Sequence, residues 1–250
     1  MTDRTTALAA LRQLATRETS RTYEVRGGLA LSTPRLGPSL DHNRIWFDNQ
    51  PSATAAMRIS GQHARLERLT HRAFTLNGPV AQHFGQFLLE KGWTRHRVTI
   101  MELSGALASR RGSVRGIRLT TLDTDRSAAL QARGWDDGQV DESEILAAFS
   151  LHHEITREHA TWYQAARGSV ELGHMRLASV EEYLVLEDLV VYPRAQGTGT
   201  GTALLQHAVD LARADGLSLL LTADSHRWPR QWYRRVGFSE LGSLSTFWKC

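Results

Sequence analysis

LEDLVVYPRAQGTGTGTALL, residues Leu186 to Leu205, is the stretch on which the reading of this chain turns. Leu186 to Val191 is apolar around two carboxylates, with Val190 and Val191 adjacent, and reads as a β-strand that Pro193 ends. Gln196-Gly197-Thr198-Gly199-Thr200-Gly201 comes next. From Thr202 the spacing turns helical, with Leu205, Ala208, Val209 and Ala212 on one side. A glycine-rich loop therefore opens a helix. With no bulky side chain over its start, such a helix presents unpaired backbone N–H groups and the positive end of its dipole. That is a seat for phosphate.

Two common phosphate loops do not fit. The P-loop needs Lys-Ser or Lys-Thr after its last glycine, and Gly201 is followed by Thr202 and Ala203; the dinucleotide fingerprint needs G-x-G-x-x-G, and from Gly197 the spacing is G-x-G-x-G. The stretch does resemble the acetyl-CoA-binding signature of the GNAT superfamily of N-acetyltransferases, Gln/Arg-x-x-Gly-x-Gly/Ala. In that signature a strand and a proline come first, as Leu-x-Val-x-Pro does here at Leu189 to Pro193.

Working outward, the 250 residues suffice for one large or two small domains, and 41% hydrophobic with 22% charged residues is the composition of an ordinary globular protein. The net charge of +4 rests on arginine, since Lys91 and Lys249 are the only lysines. Arg110-Arg111 and Arg234-Arg235 are too short to make a basic run, which speaks against nucleic-acid binding. Cys250 is the only cysteine, so no internal disulfide forms. Met1 to Thr19 lacks a signal-peptide core, and no run approaches the ~20 apolar residues of a membrane span. A cytoplasmic protein, monomer or homodimer, with no membrane partner is expected.

In the first half the spacing of Ala7, Leu8, Leu11, Leu14 and Ala15 predicts a helix from Asp3 to Arg17. Strands are expected at Tyr23 to Ser32 and Asn43 to Asp48, a helix at Ser52 to Leu69, a strand at Ala73 to Leu76, a helix at Val80 to Glu90 stopped by Gly92, and a strand at Arg97 to Leu103. The run Phe84 to Trp93 with the strand after it has the same plan as Tyr233 to Phe238 with the strand Ser245 to Lys249. This is an internal repeat at domain scale. The first half therefore resembles a second, divergent acetyltransferase-like domain. Between its NRIWFD strand and the next helix stands Asn49-Gln50-Pro51-Ser52-Ala53-Thr54, with no glycine pair. This half is not expected to bind CoA; it is expected to pack on the other or to shape the acceptor pocket.

Ser104 to Ser113, small and basic with two glycines, reads as a linker between domains at 1–103 and 114–250. Val114 to Leu119 is expected as a strand and Thr124 to Arg133 as a helix. Asp136, Asp137, Asp141, Glu142 and Glu144 then lead into a second helix around Ile145 to Phe149. By the resemblance this region covers the acceptor site. Its carboxylates either attract a cationic amine or match a helix dipole. His152-His153-Glu154 lacks the second histidine of H-E-x-x-H, because residue 157 is Arg157, so no metal is expected and these histidines fall to a helix end or loop. Ala160 to Ala166 and Val170 to Ala178 read as a hairpin, Ser218 to Thr222 as a buried strand, and Pro229 to Arg235 as a helix with proline in its first turn.

The fold class implied is an α/β mixed-sheet GNAT fold, as two tandem GNAT-like domains of which the second is catalytic. The resemblance implies that acetyl-CoA is the co-substrate and lies where the strands ending near Val191 and Thr222 splay apart. Its pantetheine arm would lie against the backbone of Leu189, Val190 and Val191. Its pyrophosphate would lie on the N–H groups from Gly197 through Thr198, Gly199, Thr200 and Gly201 to Thr202, with Gln196 leading in. Tyr233 stands in Tyr-x-x-x-Gly-Phe, where the family places a tyrosine beside the thiol, and is the candidate general acid. Glu187 or Asp188 holds the place of a carboxylate base; successive strand residues face opposite sides, so at most one points at the reaction centre. The family often has asparagine seven residues before the tyrosine, and here that residue is His226, which either bonds CoA, acts as a base or is exposed. The activity implied is acetyl-CoA-dependent N-acetylation of a primary amine on a small molecule or peptide. The alternatives are a non-catalytic acyl-CoA-binding regulator and the acylation of a tRNA-borne amine.

Overall fold

A computed structural model describes residues 3–37, 39–103, 105–107, 116–123, 125–126, 128–129 and 142–250. Most of the expected linker, the start of the strand at Val114, most of the helix Thr124 to Arg133, and Asp136, Asp137 and Asp141 lie outside them.

In chain order the described elements are α1 (Arg4–Arg17), β1 (Arg21–Val25), β2 (Gly28–Ser32), β3 (Arg44–Phe47), α2 (Ala53–Glu67), β4 (Arg72–Asn77), α3 (Gly78–Glu90), β5 (Thr94–Leu103), β6 (Arg118–Leu122), α4 (Glu142–Thr156), β7 (Ala160–Arg167), β8 (Val170–Val180), β9 (Tyr183–Val191), α5 (Thr200–Ala214), β10 (Ser218–Asp224), α6 (Trp228–Val236) and β11 (Ser239–Lys249). Short 3-10 turns at Pro34–Leu36 and Pro193–Ala195 each begin with the proline that ends the extended run before it. The expected single strand Tyr23 to Ser32 is instead a hairpin. Gly27, at φ 83°, supplies the turn that β1 and β2 need.

The chain divides into two compact units that are not contiguous blocks: Met1–Ile100, Ala223–Arg230 and Leu241–Cys250 form one, Met101–Thr222 and Gln231–Glu240 the other. In the first, β1, β2 and β3 are antiparallel and β4 runs parallel to β3, the crossover being made by α2. β11 closes on β4 antiparallel, with Phe247 opposite Phe74 and their rings stacked at 5.6 Å between centroids. Phe74 also meets Phe47 and Trp93, at the centre of a core that holds Ile45, Leu76 and Leu88. The last strand of the sequence thus completes the first unit.

The second unit repeats that plan. β6, β7, β8 and β9 are antiparallel neighbours, and β10 runs parallel to β9 through α5. Alternation along these strands sends Leu177, Leu184, Leu186, Leu219 and Leu221 to one face. On this face lies α5, with Leu204, Leu205, Ala208 and Val209 buried and His207 edge-on to Tyr163 at 5.0 Å. The opposite face carries Trp162, Gln164, His174, Arg176 and Glu187, and there α4 sets His153 against Trp162.

The repeat read from sequence has a physical counterpart in both helix ends. Trp93 N–H bonds Leu88 C=O and Gly92 N–H bonds Leu89 C=O, with Gly92 at φ 75°. Phe238 N–H bonds Tyr233 C=O and Gly237 N–H bonds Arg234 C=O, with Gly237 at φ 115°. Both ends have the bond pattern that needs glycine in a left-handed conformation. A glycine also sits on β2 opposite Phe47 and on β8 opposite Val191. A Cβ there would stand 2.2 Å from Trp46 O and 2.3 Å from Val190 O, respectively.

Candidate active site

The pairing of β9 with β10 runs from Tyr183 opposite Ser218 to Leu186 opposite Leu221 and stops there, while β9 continues to Val191. Leu189, Val190 and Val191 lie in this extension. On the other edge they stay tied to β8, through Val190 opposite His174 and Val191 opposite Gly173. The β8–β9 register slips between Glu187, opposite Arg176, and Val190, opposite His174. Asp188 takes up the extra residue at φ 47°, a conformation that aspartate tolerates better than most residues, and it is exposed. This bulge turns the end of β9 just where β10 leaves it.

After Val191 the 3-10 turn is followed by Gln196, extended and exposed, and then the glycine loop. Gly197 at φ 74° and Gly199 at φ 86° take conformations closed to most side chains. Thr198 folds back: its hydroxyl donates to Ala195 O at 2.7 Å and lies 3.0 Å from the Thr200 hydroxyl. The N-cap of α5 is Gly199, so no side chain caps the helix, and Ala203 N–H bonds Gly199 O at 3.0 Å. The N–H groups of Thr200, Gly201 and Thr202 thus precede the first intrahelical donor, as at any helix start. Gly201 has a further role. A Cβ there would touch Val191 at 3.4 Å and Trp232 at 3.7 Å, so its hydrogen lets the helix start seat against β9 and α6.

The corresponding start in the first half is closed. Ser52 caps α2, its Oγ accepting the Ala55 N–H at 3.2 Å.

Tyr233 is buried on α6, its ring 4.9 Å from Trp232 and 5.4 Å from Phe238. Burial pushes its hydroxyl up to about 12, so it keeps its proton throughout the neutral range. Glu187 and Asp188 differ sharply: Glu187 is ion-paired to the fully buried Arg176, whereas Asp188 stands exposed on the bulge. His226 is exposed in the turn after β10, within the first compact unit, and its N–H donates to Asp224 Oδ1 at 2.8 Å.

A polar cluster on the face under α4 was not expected from sequence. Trp162 lies opposite Arg176 and Gln164 opposite His174. His153 stacks on Trp162 at 4.7 Å, Trp162 stands 5.8 Å from His174, and His174 Nδ1 shares a 3.1 Å hydrogen bond with the Tyr192 hydroxyl. Burial lowers His153 and His174 to about 4, with the Arg176 charge adding to the effect on His153, so both are neutral near pH 7. The signal in the sequence was His174 and Arg176, two residues apart and so on one face of the strand. His153 does end a helix, as expected, but buried against tryptophan.

Among known proteins, residues 134–247 match the model of the acetyltransferase (GNAT) domain. The fold resembles that of a GCN5-related N-acetyltransferase from Kribbella flavida, with a TM-score of 0.68 and 15% identity over 98% of this chain and 95% of that one. It also resembles a functionally unknown conserved protein from Staphylococcus epidermidis ATCC 12228, with a TM-score of 0.70 and 11% identity over 91% and 92% of the two chains. A tandem GNAT protein from the clavulanic acid biosynthesis pathway aligns with a TM-score of 0.55 and 15% identity, over 82% of this chain and 74% of that one. No curated protein matches the sequence. Among the described residues no helix is long and apolar enough to cross a membrane.

Proposed function

With residues 134–247 a GNAT acetyltransferase domain in an α/β fold of tandem GNAT-like plan, we propose that this chain is an acetyl-CoA-dependent N-acetyltransferase acting on a primary amine. The observation that carries the reading is the opening of β9 from β10 after Leu186, leading through the bulge into an uncapped helix start at Gly199. The open edge of Leu189 to Val191 offers backbone partners to the amides of pantetheine. The loop from Gly197 to Thr202, preceded by Gln196, offers N–H groups and a helix dipole to the pyrophosphate.

In the reaction the neutral amine nitrogen attacks the thioester carbonyl carbon. A C–N bond forms, the C–S bond breaks, the amine proton passes to a carboxylate or water, and the leaving thiolate takes the Tyr233 proton. Burial raises the Tyr233 hydroxyl to about 12, so the proton is in place throughout the neutral range. Of the two carboxylates, Asp188, exposed on the bulge where the strands part, is assigned as proton acceptor through water, while Glu187 is paired with Arg176. His226, exposed in the turn after β10, is given no step in the reaction. The first half, with its helix start capped by Ser52, is assigned no cofactor.

The test is thiol release from acetyl-CoA across an amine panel, with CoA affinity measured alongside. Turnover that falls in Tyr233→Phe without loss of CoA affinity supports the proposal. Tight CoA binding with no turnover of any amine sinks it in favour of a non-catalytic acyl-CoA-binding protein, a reading that the engaged state of Glu187 favours.

A further inference from the structure

The face under α4 buries more hydrogen-bond donors than its own residues satisfy. Trp162 is 5% and Gln164 3% exposed, and neither Trp162 Nε1 nor Gln164 Nε2 has a partner among the described residues. A buried donor left without an acceptor is destabilising, so two on one patch call for an acceptor that the described residues do not supply. Two residues apart on β7, these side chains project from one face with their backbones roughly 7 Å apart. Their cross-strand neighbours Arg176 and His174 add no acceptor anion, Arg176 being paired with Glu187 and His174 neutral, and neither does His153 on α4, neutral as well. The patch ends at Glu187, one residue beyond the last β9–β10 pair, which is where the strands part.

We propose that Trp162 and Gln164 bind the acceptor, and that the acceptor is an amine carrying a carbonyl oxygen, as carboxylate or carboxamide, close to the amino group: an amino acid or its derivative rather than a polyamine or plain alkylamine. The proposal rests on the acetyltransferase reading above. The two N–H donors hold the oxygens on the α4 side of the sheet, and the amine then reaches past Glu187 toward the opening. Trp162 and Gln164 are specificity-determining here, while Arg176 and Glu187 position them by fixing β8 against β9.

The experiment uses the full chain with saturating acetyl-CoA and acceptors matched except for the carboxyl group: lysine with 1,5-diaminopentane, phenylalanine with 2-phenylethylamine, leucine with 3-methylbutylamine, and the three amino-acid amides. In at least one set the carboxyl- or amide-bearing member is expected to show a kcat/KM at least about tenfold higher. Trp162→Phe and Gln164→Glu are each expected to narrow that ratio about tenfold, unchanged affinity for CoA showing that the variants are folded. Equal or better turnover of the plain amines, or a ratio that both variants leave untouched, overturns the proposal; the donors then hold only a water. Calorimetry with the CoA-saturated protein covers the case of no turnover. Preferred binding of the carbonyl-bearing members supports the role of Trp162 and Gln164 while sinking the acetyltransferase reading, and no binding of either kind overturns that role.

Discussion

Two helix starts in this chain follow the same design and end differently. β3 leads into α2 and β9 leads into α5. Each pair of parallel strands is bridged by the helix, and each feeding strand is crossed by a glycine on its antiparallel neighbour, Gly28 or Gly173. At α2 the start is closed by the Ser52 side chain, and the β2–β3 register runs without a slip from Gly28 opposite Phe47 to Leu31 opposite Arg44. At α5 the cap is Gly199, in a left-handed conformation, and the β8–β9 register slips at Asp188. The common frame is scaffold, and the bulge and the bare helix start are what make one copy a candidate cofactor site.

The largest expected effect tests the shared frame. Gly28→Val and Gly173→Val each drive a side chain to within 2.2–2.3 Å of a backbone carbonyl, so neither variant should give soluble folded protein on gel filtration. If one is tolerated, the two strand pairs are less alike than they look. Next, Gly199→Val forces a β-branched residue to φ 86° at the α5 start, and CoA affinity by calorimetry should fall at least about a hundredfold. Tyr233→Phe should lower kcat roughly a hundredfold while leaving CoA affinity in place. The smallest effect falls on the closed start: Ser52→Ala should cost ~1 kcal/mol in chemical denaturation, with no change in CoA binding.

The halves also differ in acid response. His153 and His174 in the second unit and His63 in the first titrate near 4, below their ordinary 6.5, because burial disfavours the imidazolium. The unfolded chain therefore binds more protons than the folded one between these values, so stability is full above about pH 6.5 and falls as pH drops toward 4. With two such histidines against one, protection factors against amide exchange, corrected for the intrinsic rate at each pH, should fall more from pH 7 to pH 5 in β7 and β8 than in β1 and β2. An equal fall would show that the cluster under α4 is not what couples the second unit to pH.

Much of this was legible in the sequence because it rests on local chemistry. Pro193, the glycine triplet and the helical spacing after Thr202 each dictate backbone conformation by themselves, and so do Gly92 and Gly237 at the two helix ends. The absence of a glycine pair between Asn49 and Thr54 set the first half's helix start apart in the same way, though the cap that Ser52 supplies was not read there. What escaped depends on partners distant in sequence. No local feature of β11 says that it pairs with β4, and Glu187 looks like a base until Arg176 is seen opposite it across the strand. The bulge left only a faint trace, two adjacent carboxylates in an apolar strand, of which the aspartate takes the left-handed turn.

The contrast between the two helix starts is tested most directly by the stoichiometry of CoA binding to the intact chain, measured by calorimetry alongside Gly199→Val. The account predicts one CoA per chain in the natural sequence and none at the same concentrations in the variant. Two CoA per chain, or one that survives the change at Gly199, would contradict it.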